Sequence, residues 1–136
     1  MLIVDTGVIV AAADRNDPHH ESSAQLLETA AGPLVTSPMI VAEAAYLITR
    51  ELGPTAEQSL YTAIIEGDLR VETLTRTDWI RIRELVDRYR DLPLGGTDAS
   101  VIALAERFAV RQVATLDRRH FTVVRPAHTP VFTLLP

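Results

Sequence analysis

Four acidic residues lie within or beside apolar runs of the sequence, where carboxylates are unexpected: Asp5, Glu43, Asp98 and Asp117. A buried carboxylate is costly unless it pairs with a charge or binds a metal. Hard cations such as Mg2+ and Mn2+ prefer oxygen ligands. Together the four acids therefore predict a cation site. The reaction class that suits it is phosphodiester hydrolysis, in which the metal polarises the phosphate and activates a water.

The residues that the chain lacks narrow the chemistry further. All 13 cationic Lys+Arg residues are arginine, and there is no cysteine. The composition therefore excludes a P-loop lysine, a Schiff base, thiol catalysis and zinc–thiolate sites. It also disfavours receiver domains and haloacid-dehalogenase-like phosphatases, which combine their aspartates with a lysine. The net charge of -5 does not exclude a nucleic-acid substrate, because the four acids account for most of it.

Each acid also has an ordinary structural explanation. Asp5 could be a turn or N-cap aspartate, Asp117 could belong to an ordinary polar turn, and Asp98 could gain about 0.3–1 kcal/mol from the dipole of a helix that it opens. Glu43 is harder to explain in this way, because helical spacing places it on the same face as Ile40 and Ala44. The prediction of a functional site rests on the four acids converging.

Other polar residues give weaker signals. Arg118 and Arg119 follow Asp117 directly and are candidates for contacting a phosphate. His120 and His128 are isolated in sequence, which favours structural roles. No Ser/His/Asp arrangement or nucleophile-elbow motif is present.

The elements that must position the acids alternate between strands and helices. Strands are predicted at 2–4, 34–36, 69–72, 112–115 and 131–134; helices at 7–13, 19–31, 38–52, 55–66 and 76–90, with a further helix capped by Thr97. This pattern predicts an α/β fold with three α/β/α layers, a mostly parallel central sheet of about five strands, and one domain over residues 1–136. Ligands bind beyond the carboxyl ends of such strands, where Asp5 and Asp117 fall.

No signal peptide or membrane span is predicted, and the expected location is the cytoplasm.

Four segments resemble PIN-domain proteins, in particular the VapC-type ribonuclease toxins: residues 2–6, the helix with Glu43, residues 96–103 and residues 114–121. The resemblance covers the whole chain. It implies a Mg2+-dependent (or Mn2+-dependent) endoribonuclease that cleaves structured RNA, either tRNA or ribosomal RNA. It also implies a homodimer that a cognate VapB-type antitoxin neutralises.

The same resemblance assigns roles to residues. Asp5 and Asp98 would bind the metal, Glu43 and Asp117 would complete the catalytic quartet, and the Thr6 and Thr115 hydroxyls would orient carboxylates. Many relatives have Asn or Ser where this chain has Gly7, which therefore receives no role. The alternative is a non-catalytic RNA- or protein-binding module of the same fold.

The helices at 38–66 carry more apolar side chains than one sheet face needs. Either they form an antitoxin or dimer surface, or they are packed in the core; the residues concerned are Tyr46, Leu47, Leu60, Tyr61 and Ile64.

Overall fold

Five parallel strands form the centre of the molecule in a computed structural model that describes all residues 1–136. They are β1 Leu2–Val4, β2 Leu34–Thr36, β3 Arg70–Val71, β4 Gln112–Ala114 and β5 Thr133–Leu135. The strand order is β3-β2-β1-β4-β5, and every neighbouring pair is parallel. The predicted parallel α/β sheet is therefore confirmed.

Seven helices flank this sheet: α1 Thr6–Ala13, α2 His20–Thr29, α3 Pro38–Leu52, α4 Pro54–Glu66, α5 Arg76–Arg88, α6 Gly96–Arg107 and α7 Arg118–Val123. Because crossovers between parallel strands are right-handed, the connections β1–β2–β3 place α1 to α4 on one face, and the return to β4 and β5 places α5 to α7 on the other. The predicted three-layer α/β/α arrangement is confirmed. No helix combines the length and apolar character needed to span a bilayer.

The core is centred on the strands and on α6. Ile3, Val4 and Val113 are fully buried, as expected for strands covered on both faces. Residues 99–105 of α6 are all buried, because this helix packs against α3 and α5 as well as against β1. The helix that carries Asp98 is consequently held on several sides.

A two-bond ion pair also fixes α6 to α5. Arg81 donates from Nε to Glu106 Oε2 at 2.8 Å and from a terminal nitrogen to Oε1 at 2.9 Å. Such two-point guanidinium–carboxylate contacts restrict orientation more than a single bond does. A capping box closes the N-terminal end of α5, because Thr75 and Asp78 each accept a hydrogen bond from the other's backbone N–H.

Several predicted boundaries were wrong. The helix α6 begins at Gly96 with Gly95 at its N-cap, so Thr97 is not the cap. The helix α1 begins at Thr6 rather than Gly7, and β5 lies two residues later at its start than predicted. The six-residue helix α7 was not predicted, because the polar run 117–120 gives no helical periodicity.

Candidate active site

The strand order reverses between β1 and β4, and this reversal creates the crevice where the acids meet. The connection after β1 leads to β2 on one side of the sheet, whereas the connection after β4 leads to β5 on the other side. The two connections therefore diverge between β1 and β4. In open α/β sheets such a switch point is the usual ligand-binding crevice. Asp5 directly follows β1, and Asp117 comes three residues after β4.

Asp5 is the most buried of the four acids, with only 5% of its surface exposed. Its Oδ1 accepts a hydrogen bond from the Thr6 backbone N–H at 2.8 Å, and its Oδ2 accepts one from the Thr115 hydroxyl at 2.7 Å. Burial raises the pKa of Asp5 to about 6, although these two hydrogen bonds oppose the increase. Asp98 and Glu43 add to the increase through their negative charges.

Glu43 reaches the same crevice from α3. Its Oε2 accepts a hydrogen bond from the Thr6 hydroxyl at 2.6 Å. Helical spacing places Glu43 on the same face as Ile40 and Ala44, yet Glu43 is exposed while those two residues are buried. Glu43 lies on the first turns of α3, where the helix begins at the open edge of the sheet.

Asp98 lies half-buried in the first turn of α6. Burial is the main cause that raises the pKa of its carboxyl group, and the charges of Asp117 and Glu43 add to the increase. The nearby His120 and a backbone hydrogen bond from Gly95 act in the opposite direction. The two acids that the resemblance assigns to the metal therefore both hold their protons more tightly than ordinary aspartates.

Both carboxylate oxygens of Asp117 are hydrogen-bonded to one residue on α7, His120. Its Oδ1 accepts from the His120 backbone N–H at 3.1 Å, and its Oδ2 is hydrogen-bonded to His120 Nδ1. Ligand atoms of Asp98, Asp117 and His120 all lie within 4.8 Å of one another. Asp117 is thus both the N-cap of α7 and a member of the acidic cluster.

His120, for which the sequence favours a structural role, lies within the acidic cluster. Burial alone would lower its pKa, but the hydrogen bond to Asp117 and the nearby carboxylate charges outweigh that effect and raise it. The sequence contained one usable signal, the three-residue spacing from Asp117, which is typical of a helix N-cap pair. His128, in contrast, hydrogen-bonds to the Val110 carbonyl at 2.7 Å and packs beside Phe132, as expected for a structural histidine.

Two threonines connect the acids into one hydrogen-bonded chain. Thr115 donates to Asp5 and accepts from the Asp117 backbone N–H at 3.0 Å, while Thr6 joins Asp5 to Glu43. The contacts expected of these two hydroxyls are therefore present. Since each hydroxyl has one proton to donate and gives it to a carboxylate, the network is arranged for ionised acids.

A buried pair of serines, which the motif analysis overlooked, joins the helices that carry Glu43 and Asp98. Ser37 Oγ and Ser100 Oγ are 2.7 Å apart, and Ser100 donates to the Thr97 carbonyl at 2.6 Å. Ser37 must therefore donate to Ser100 while it accepts from the Ile40 N–H as the N-cap of α3. The only sequence signal was the cap position of Ser37.

The two neighbouring arginines differ in their contacts. Arg118 donates to the Pro136 carbonyl at 2.7 Å, so its side chain already has a partner in the protein. Arg119 is exposed and forms no ion pair. A Cβ at Gly7 would lie 3.5 Å from the side chain of Leu116, an ordinary contact, so packing does not require glycine there.

The donor set fits a hard divalent cation. No arginine or lysine forms an ion pair with Asp5, Glu43 or Asp98. His120 is hydrogen-bonded to Asp117, and its charge also lowers the pKa of Asp98. Carboxylate-rich ligand sets without a thiolate suit Mg2+ or Mn2+ better than thiolate-seeking metals.

The large apolar and aromatic side chains of α3 and α4 are divided between core and surface. Tyr46 is 65% exposed and Tyr61 is 40% exposed, whereas Leu60 is buried. Leu47 and Ile64 are intermediate. Core packing is thus confirmed for Leu60, whereas the other face of the helix pair leaves two tyrosines at the surface.

The five-stranded parallel sheet and its acidic crevice define an α/β domain with a candidate cation site, and the PIN domain family model matches residues 2–125. The chain belongs to the PIN domain family. It is 32% identical to Ribonuclease VapC26 of Mycobacterium tuberculosis over 135 residues, which cover 99% of this chain and 100% of that protein.

Solved structures agree with this fold. The crystal structure of Mycobacterium tuberculosis VapC20, a sarcin-ricin loop cleaving toxin, matches with a TM-score of 0.82 and 18% identity, covering 96% of this chain and 99% of that one. VapBC2 from Rickettsia felis, bound to a DNA fragment from its promoter, matches with a TM-score of 0.69 and 14% identity, covering 99% and 98%. FitAcB from Neisseria gonorrhoeae matches with a TM-score of 0.66 and 19% identity, covering 98% and 97%.

Proposed function

We propose that this chain is the ribonuclease toxin of a toxin–antitoxin pair, a Mg2+-dependent endoribonuclease that hydrolyses phosphodiester bonds in structured RNA. The observation that carries the proposal is the hydrogen-bonded chain from Glu43 through Asp5 to Asp117, which meets Asp98 at the switch point of the sheet. The relative at 32% identity is named as a ribonuclease, which supports the same activity.

Each acid receives a separate role in this proposal. Asp5 and Asp98 hold the cation, because Asp5 is buried, Asp98 is half-buried and neither forms an ion pair with an arginine. A bound Mg2+ or Mn2+ would polarise the phosphate and lower the pKa of a bound water. Glu43 and Asp117 complete the site by accepting hydrogen bonds from water near the phosphate. The Oε1 atom of Glu43 has no protein partner, which leaves it open for this purpose.

The remaining residues orient these groups. The Thr6 and Thr115 hydroxyls fix the carboxylates of Glu43 and Asp5, as outer partners of metal ligands commonly do. Arg119 is the better placed of the two arginines to contact an RNA phosphate, since Arg118 already binds the Pro136 carbonyl. The proposed substrate is tRNA or ribosomal RNA, and the cleavage of the sarcin-ricin loop by the VapC20 toxin supports a structured target.

The proposal extends to partners and location. The likeness to VapBC2 and FitAcB supports a cognate VapB-type antitoxin as the inhibitor. We also propose a homodimer, a single domain over residues 1–136, and a cytoplasmic location. The exposed Tyr46 and Tyr61 on α3 and α4 offer an apolar surface for either protein partner.

Mapping RNA ends after brief expression tests the activity directly. We expect new 5′ ends within structured RNA for the wild type and none for Asp98→Asn, whose neutral amide cannot replace the ligand charge. Purified protein should cleave the same site with Mg2+ or Mn2+ and lose activity in excess EDTA. Undiminished cleavage in EDTA, or by Asp98→Asn, would refute the proposed chemistry.

The alternative is a non-catalytic module that binds RNA or protein through the same surface. It predicts binding of RNA with no products at any metal concentration, whereas the proposed enzyme predicts metal-dependent products. The presence of all four acids favours the enzyme.

A further inference from the structure

His120 contacts two segments that lie far apart in the sequence. Its ring Nδ1 is hydrogen-bonded to Asp117 Oδ2, and its Nε2 lies 3.1 Å from the Leu92 carbonyl oxygen. Its backbone N–H also donates to Asp117 Oδ1. Both carboxylate oxygens of Asp117 are therefore hydrogen-bonded to His120. The opposite side of the His120 ring contacts the Leu92 carbonyl.

The segment around Leu92 leads directly to Asp98. It forms the turn between α5 and α6, in which the backbone N–H groups of Leu92 and Leu94 both donate to the Tyr89 carbonyl, at 3.0 Å and 3.3 Å. The Tyr89 hydroxyl in turn accepts from the Arg125 backbone N–H at 2.9 Å. The turn is thus attached to the chain after α7 as well as to the His120 ring.

These contacts differ from those of a simple helix cap. An N-cap aspartate needs only a backbone N–H, which any residue at position 120 supplies. The His120 ring adds a second hydrogen bond to Asp117 and a contact with the Leu92 carbonyl in the turn before Asp98. We call these two ring contacts the brace. Since Asp98, Asp117 and His120 have ligand atoms within 4.8 Å of one another, the brace lies inside the acidic cluster.

We propose that His120 is a positioning residue, which holds the Asp117 carboxylate opposite Asp98 by bracing its ring on the Leu92 carbonyl. The inference rests on the proposed metal-dependent function, because it concerns the geometry offered to the cation. His120 does not contact the cation or the RNA in this role, but acts through Asp117.

Two amide substitutions separate the halves of the brace. The amide nitrogen of Asn lies where Nδ1 lies, so His120→Asn keeps the contact to Asp117 and loses the one to Leu92. The amide nitrogen of Gln lies where Nε2 lies, so His120→Gln keeps the contact to Leu92 and loses the ring contact to Asp117. His120→Ala loses both, while all three variants keep the backbone cap.

The test measures Mn2+ affinity of the full chain without RNA, by electron paramagnetic resonance, together with kcat and KM for a cleaved RNA. We expect Mn2+ affinity to fall about 10–100-fold in His120→Ala, as on loss of other outer partners of metal ligands. The Asn and Gln variants should fall between Ala and wild type, with kcat reduced and KM unchanged. Thermal melting confirms that each variant is folded.

The controls separate this inference from the function on which it rests. If the wild type binds Mn2+ and Asp98→Asn does not, the proposed cation site is supported. If His120→Asn and His120→Gln then fold and show the Mn2+ affinity and kcat of the wild type, only the proposed role of His120 is refuted. If Asp98→Asn binds Mn2+ as the wild type does, the cation site and this inference both fail. If His120→Ala does not fold, the Asn and Gln variants decide the question.

Discussion

Neutralising the buried carboxylate of Asp5 should stabilise the metal-free protein while abolishing its activity. Burial raises the pKa of Asp5 from 3.8 to about 6 in the folded state. The folded state therefore binds the proton more tightly than the unfolded state does. Since ionisation is then less favourable in the folded protein, stability is lost as pH rises from about 4 through 6, which is the opposite of an ordinary paired aspartate.

The size of the effect follows from the shift. At about 1.36 kcal/mol for each pKa unit, ionised Asp5 costs the folded state about 3 kcal/mol at pH 7 and about 1.6 kcal/mol at pH 5. Asp5→Asn removes this cost, keeps the bond from the Thr6 N–H, and loses the acceptor for the Thr115 hydroxyl, which costs about 1 kcal/mol. The net gain is about 2 kcal/mol at pH 7. For a chain of 136 residues that gain corresponds to about 7 °C in Tm.

The assay is thermal or urea unfolding of wild type and Asp5→Asn in EDTA, followed by circular dichroism at pH 7 and pH 5. Asp91→Asn is the matched control, because Asp91 is exposed and the charge change is the same. Adding Mg2+ should stabilise the wild type by about 2.7 kcal/mol at a concentration of 100 Kd. It should leave Asp5→Asn unchanged.

Two results would refute this reasoning. If Asp5→Asn were no more stable than wild type at pH 7 in EDTA, the ionised Asp5 carboxylate would not destabilise the folded state. If its advantage were as large at pH 5 as at pH 7, the gain would not come from ionisation. An equal gain in Asp91→Asn would indicate a general effect of net charge instead.

Two further substitutions test the residues around the acids. Thr115→Val should weaken Mn2+ binding about 10–100-fold, because it removes both the donor to Asp5 and the acceptor for the Asp117 N–H. Thr115→Ser keeps the hydroxyl and should bind Mn2+ as the wild type does. Equal Mn2+ affinities of the Val and Ser variants, measured by calorimetry, would contradict this role. Arg119→Gln should reduce by about 1 the slope of log K against log salt for RNA binding, without changing Tm. An unchanged slope would exclude a phosphate contact by Arg119. Arg118→Gln is the comparison, because it removes the same charge from a side chain that is already hydrogen-bonded to the Pro136 carbonyl.

Much of the fold was predictable because short strands that are buried on both faces differ clearly in sequence from the helices between them. Leu2–Val4 and Leu34–Thr36 were predicted with the observed bounds. The helix α3 was equally clear, since Ser37 and Pro38 mark its start and Gly53 its end. The short helix α7 was missed because six residues are too few to show a helical period.

The candidate site was predictable only in outline. The convergence of Asp5 and Asp117 follows from parallel topology, since strands that run in the same direction deliver their following residues to the same edge. The exposure of Glu43 was not predictable, because helical spacing gives the face of a residue and not whether the sheet extends far enough to cover it. Likewise, the contact of Arg118 with Pro136 joins residues that no local pattern relates.

The sequence by itself determined the α/β class, the four acids and the chemistry that they allow, because these follow from residue type and local periodicity. Only the tertiary structure decided how the acids are held. The links through Thr115, through His120 to Leu92 and through the Ser37–Ser100 pair join residues 110, 28 and 63 positions apart. Such contacts depend on the angles at which α3, α6 and α7 pack around the sheet, and packing angles are set by the whole core rather than by any single segment.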